Sequence, residues 1–151
     1  MPAARPTRLT IPALDVSTPL ERLGLDTHQV LEPPHDPDQA GWYERGAEPG
    51  TRGPAVIAGH VTWNGAKAVF FDLARLRPGQ RIEVRRADGT TAVFHVTRVS
   101  QYPKDRFPGI EVYGNTARAE LRLITCGGKY SGSAHHYSDN IVVYATLATR
   151  S

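Results

Sequence analysis

"RIEVRRADGTTAVFHVTRVS", residues 81–100, decides the fold class. Two runs in which apolar and polar residues alternate flank Asp88-Gly89. A period of two marks a strand with one buried face. Asp-Gly between two such runs is a favoured hairpin turn. The stretch reads as a β-hairpin, and its neighbours read the same way. "RLTI", 8–11, and a short segment near 14–20 are opening strands. "AVIAGH", 55–60, is a short apolar strand that ends on a histidine. "ARAELRLITC", 117–126, and "DNIVVYATLA", 139–148, are further strands rich in β-suited residues.

Between these runs the chain turns often. "PPHDPDQAGWYERGAEPGTRGP", 33–54, reads as one long loop, and "GGKYSGSAHHYS", 127–138, as another. "AVFFDLARL", 68–76, fits one or two helical turns and is stopped by "PGQ". The 14 glycines and 12 prolines are spread as punctuation, so the elements must be short. Neither a repeat nor a linker is visible. Many short strands with little helix point to a mainly β domain, a closed barrel or a sandwich.

A chain of 151 residues is long enough for one domain with its own core. It has no apolar run long enough to span a bilayer and no visible signal peptide. The net charge is +3, and the densest basic group is Arg75, Arg77, Arg81, Arg85 and Arg86. Such a group is either a solvated strand face or a contact for an anionic partner. Without an aromatic-rich RNA motif or a recognition helix beside it, the solvated face is the better reading, and no nucleic-acid partner is expected.

Cys126 is the only cysteine, so it makes no internal disulfide. A lone thiol is either buried filler or a nucleophile. Alternation puts Arg122, Ile124 and Cys126 on one face and Leu121, Leu123 and Thr125 on the other. The cysteine face thus carries a charge, which argues against filler. Gly127 and Gly128 then either form a turn or leave room for a second backbone.

A nucleophilic thiol needs a group that manages its proton. His28 and His35 lie in loop-like sequence, His95 is mid-strand, and the adjacent His135 and His136 point to opposite faces of an extended chain. His60 closes an apolar strand after the small Ala58 and Gly59, a placement that suits the rim of a cleft or a turn. Other chemistries fit worse. "GGKYS" lacks the spacing of a phosphate loop, and no G-x-S-x-G elbow exists. A zinc site from Cys126, His60 and His135 or His136 lacks ligand-pair spacing, so neither metal nor cofactor is expected.

"LRLITCGG" at 121–128, with "AVIAGHV" at 55–61, resembles the sortases, cysteine transpeptidases of Gram-positive bacterial surfaces. "GWY" at 41–43, "PGTRGPAVIAGHV" at 49–61, "AVFFDL" at 68–73, "FPGIEVYG" at 107–114 and "YSDNIVVYA" at 137–145 resemble the actinobacterial class F group. The resemblance covers most of residues 8–148. It implies an eight-stranded sortase-type β-barrel with a few short helices, residues 8–151 forming the catalytic domain and 1–7 a disordered or added N-terminus. It implies Cys126 as the nucleophile and His60 as its proton-handling partner. The substrate would be an LPXTG-like sorting signal cut after its threonine. The acceptor would be an amine, such as a peptidoglycan precursor or a pilin lysine.

One departure from the family stands out. Sortases place an arginine near the start of the last strand, and that position here holds Asn140. Asn140 is expected to take the arginine's place, since its amide can donate to an oxyanion. Arg122, on the cysteine face, and Arg106, in "KDRFP", are the other candidates for that charge. The alternative reading is a sortase-fold peptide-binding module with weak turnover. The family's location implies the extracellular face of the cell membrane, through an anchor outside this sequence.

Overall fold

The computed structural model describes residues 1–27, 31–103, 109–126 and 139–148. The chain forms β1 (Pro6–Ile11), β2 (Val16–Leu23), β3 (Ala40–Tyr43), β4 (Gly53–His60), β5 (Thr62–Trp63), β6 (Ala66–Lys67), β7 (Arg81–Arg86) and β8 (Thr91–Pro103). A short helix α1 (Gly109–Tyr113) precedes β9 (Ala119–Cys126) and β10 (Asp139–Leu147). Eight strands close a barrel in the order β1-β2-β3-β4-β9-β10-β8-β7, and β5 and β6 make a separate small hairpin. The 81–100 hairpin is β7 and β8, antiparallel with Arg85 opposite Thr91.

The alternation read from the sequence sorts side chains to the two faces of the barrel wall. Leu9, Ile11, Ala55, Ile57, Ile82, Val84, Phe94, Leu121, Leu123 and Val143 join the main core. The 68–76 segment contributes Phe70, Leu73 and Leu76 to it, around a single 3-10 turn at Leu73–Arg75. A second cluster covers the other face of the wall: Val56, Ile124, Val142 and Tyr144, with Val112 from α1. β4 is therefore buried along its whole length, which is why its sequence is apolar throughout.

Three expectations change. The 33–54 stretch is not all loop, because β3 lies within it, parallel to β2. Four residues between turn signals carry too little pattern to show a strand. The Gly41 position is filled by Leu23, since a Cβ there would sit 2.6 Å from the leucine side chain. β1 starts at Pro6, two residues earlier than its apolar pattern. Arg86 is not on a solvated face. It follows Ile82 and Val84 in the alternation, its side chain is fully buried, and it donates to the Pro2 carbonyl. Arg81, by contrast, is exposed and pairs with Glu83 at 2.9 Å.

Candidate active site

The parallel pairing of β4 with β9 builds the site. Its register runs from Gly53 opposite Ala119 to His60 opposite Cys126. Both strands end on a residue able to do chemistry, and the two backbones lie one strand spacing apart, about 4.8 Å. Along β9, Leu121 and Leu123 join the main core and Ile124 the cluster on the other face.

His60 is held from several sides and is only 4 % exposed. Its Nε2 lies 2.8 Å from the carbonyl oxygen of Pro34. A carbonyl only accepts, so Nε2 carries the proton and Nδ1 is the nitrogen left with a lone pair in the neutral ring. Trp63 meets the imidazole edge-on, with ring centroids 5.0 Å apart and planes at 68°. The indole is itself half-exposed, so it forms an outer wall of the site. The His60 carbonyl accepts from the Phe70 amide at 2.9 Å. Gly59 has a packing role that the sequence reading missed. A Cβ there would meet Phe70 Cδ2 and Val69 Cγ1, each at 2.8 Å. The bare residue before the histidine admits the core, not an open cleft.

Asn140 lies where β10 begins. Its Nδ2 donates to the Thr125 carbonyl at 2.7 Å, and the Ile141 amide donates to Thr125 Oγ1 at 2.9 Å. These two bonds tie the last strand to the residue before Cys126. The pairing of Val142 with Ile124, carried two residues further, puts Asn140 level with Cys126. Asn140 is thus brought to the same end of the barrel as His60 and Cys126.

Arg122 lies four residues up the strand, about 13 Å from Cys126 along β9. It is buried, pairs with Glu120 at 2.7 Å, and packs its guanidinium on the Tyr144 ring at 4.6 Å. Arg98 stacks on the same ring at 3.8 Å, and Tyr144 shares a 2.7 Å hydroxyl contact with Tyr102. Arg106, His28, Gly127, Gly128, His135 and His136 lie outside the described residues. Among the described residues, no group of three His, Cys, Asp or Glu could hold a metal ion. His35 is exposed and contacts Glu21 at 3.3 Å, and His95 is exposed on β8.

The Sortase domain family matches residues 9–148, nearly the whole barrel. The chain belongs to the sortase family. Sortases are cysteine transpeptidases, enzymes that join a sorting-signal peptide to an amine. Solved sortase structures share the fold. Sortase C-1 from Actinomyces oris superposes with a TM-score of 0.70 at 21% identity, over 95% of this chain and 73% of that one. Sortase A from Corynebacterium diphtheriae gives 0.72 at 20% identity, over 99% of this chain and 63% of that one. Sortase C1 from Streptococcus agalactiae gives 0.72 at 16% identity, over 96% and 68%. No curated protein matches the chain.

Three parts of this sortase site were not singled out from sequence: the Pro34 carbonyl, Trp63 and Thr125. Only Trp63 left a signal. Asn64 and Gly65 have positive φ, 51° and 82°, and turn β5 back into β6. Asn-Gly is the hairpin dipeptide that could have placed the indole beside the strand end.

Proposed function

We propose that this sortase cleaves an LPXTG-like sorting signal and transfers the acyl part to an amine, with Cys126 as nucleophile and His60 as its acid and base. The register that sets His60 beside Cys126 carries the proposal. The Cys126 thiolate attacks the threonine carbonyl carbon, forming a C–S bond. Protonated His60 gives its Nδ1 proton to the leaving glycine amine as the C–N bond breaks. A thioester remains. An acceptor amine then attacks it, gives a proton back to His60, and releases the thiolate. Splitting one amide exchange into two acyl transfers is covalent catalysis with a single proton manager.

Asn140 is assigned a place at the nucleophile's strand end. One amide hydrogen goes to the Thr125 carbonyl, and the second would be the donor to an oxyanion. We place the chain in the class F group on its sequence segments. We place its work at the extracellular face of the membrane, on a peptidoglycan precursor or a pilin lysine as acceptor. A second reading, a peptide-binding module with weak turnover, is favoured by the neutral amide of Asn140 in the arginine's position.

A quenched-fluorescence LPXTG-type peptide tests the first reading. Cleavage should require both Cys126 and His60, and an added amine should divert product from hydrolysis to ligation. Cleavage that survives Cys126→Ala would refute the assignment.

A further inference from the structure

Among the described residues no carboxylate bonds His60 directly, yet one stands a single peptide group away. The acceptor for His60 Nε2–H is the Pro34 carbonyl, at 2.8 Å. That carbonyl belongs to the same peptide unit as the amide of His35. The His35 amide donates to Glu21 Oε1 at 3.0 Å, and the next amide, Asp36, donates to Glu21 Oε2 at 2.9 Å. The trans peptide points its C=O and N–H in opposite directions, so Glu21 and His60 grip one amide from its two sides. Glu21 is well placed for this. It lies on β2, a strand of the barrel, and its side chain is 19% exposed. The residues between fold to suit: Asp36 and Pro37 open a turn in which the Gln39 amide donates to the Asp36 carbonyl and the Asp38 amide to Asp36 Oδ1.

We infer that Glu21 is a positioning residue for His60, acting through the Pro34–His35 peptide. The inference rests on the reading of His60 as the proton manager. An anion on the N–H side of an amide polarises it and makes its carbonyl a stronger acceptor. The relay has two consequences. It holds His60 in the Nε2–H form, which leaves Nδ1 for the thiol proton. It also stabilises the imidazolium, whose Nε2–H points down the chain of bonds toward the Glu21 charge. The usual device for orienting a catalytic histidine is a carboxylate in direct contact. Here one backbone amide stands between them. The two backbone donors and the His35 ring also account for the Glu21 carboxyl, which sits below its usual value although partial burial, the largest single influence, pushes it up.

The test pairs ring-nitrogen NMR of His60 with steady-state kinetics on Glu21→Ala and Glu21→Gln. The wild type should show an Nε2-protonated ring at neutral pH. Glu21→Ala should shift the ring toward a mixture of tautomers and lower kcat about 10-fold, the scale of one charge-assisted hydrogen bond, with KM little changed. Glu21→Gln keeps one acceptor without charge and should fall between. Folded Glu21 variants with an unchanged His60 spectrum and unchanged kcat would overturn the inference. That outcome differs from failure of the catalytic reading, which would show as turnover surviving His60→Ala. The NMR arm needs no turnover at all.

Discussion

Gly59→Ala adds one methyl group at the most crowded point beside the site. The backbone there is ordinary β, so the substitution meets no φ penalty. The cost comes from space. The new Cβ would sit 2.8 Å from Phe70 Cδ2 and from Val69 Cγ1, closer than real Cβ contacts. Phe70 is fully buried and cannot swing out to solvent. Overpacking of this kind costs about 1–3 kcal/mol. For a chain of this size that is a fall in Tm of about 2–12 °C. The displacement also travels, because the Phe70 amide is hydrogen-bonded to the His60 carbonyl. Turnover should fall along with stability, at temperatures where the variant is still fully folded. Differential scanning calorimetry and peptide cleavage at 20 °C below the variant's own transition read the two effects separately. Gly65→Ala is the comparison: its positive φ of 82° strains the turn, but no described residue lies within 4 Å of the added methyl. A Gly59→Ala protein with wild-type Tm and turnover would refute the claim that this glycine exists to seat Phe70.

Asn140→Ala should cost about 0.5–1.5 kcal/mol through the lost bond to the Thr125 carbonyl, and should slow cleavage more than Arg122→Ala does at equal folded fraction. Full turnover in Asn140→Ala with loss in Arg122→Ala or Arg106→Ala would assign the role to an arginine instead. Acid should weaken the loop that holds His60. Because its backbone donors and the His35 ring hold the folded Glu21 carboxyl below its ordinary range, despite the partial burial that pushes it up, its contribution is complete above that range and is lost as pH falls through the lower, folded value. Thermal unfolding from pH 6 to pH 3 should therefore show an acid-side loss that Glu21→Gln diminishes.

Strand elements were legible wherever one face of a strand is core and the other is not. The 81–100 hairpin shows this most plainly, and Leu121 and Leu123 followed the same rule. β3 was hidden because Ala40, Gly41 and Trp42 are buried together, which removes the alternation. Arg86 shows that position in the alternation outranks charge: it follows Ile82 and Val84 to the buried face. Cys126 and His60 stand out in the sequence because each closes a strand. Their adjacency does not, because it depends on a parallel register between strands far apart in sequence. Backbone groups are the deeper omission. The Pro34 carbonyl and the amides on Glu21 have no side-chain signature, so no pattern in the sequence could point to them.

A nucleophilic Cys126 becomes acylated by its sorting peptide. Intact-protein mass spectrometry on mixtures with LPXTG-type peptides, with and without an amine acceptor, reads this directly. The expected result is a mass increase matching the peptide cut after threonine, absent in Cys126→Ala, and discharged to a ligated product when the amine is added. A folded protein that binds these peptides across a panel of motifs, with no adduct and no cleavage, would contradict the claim and leave a binding module.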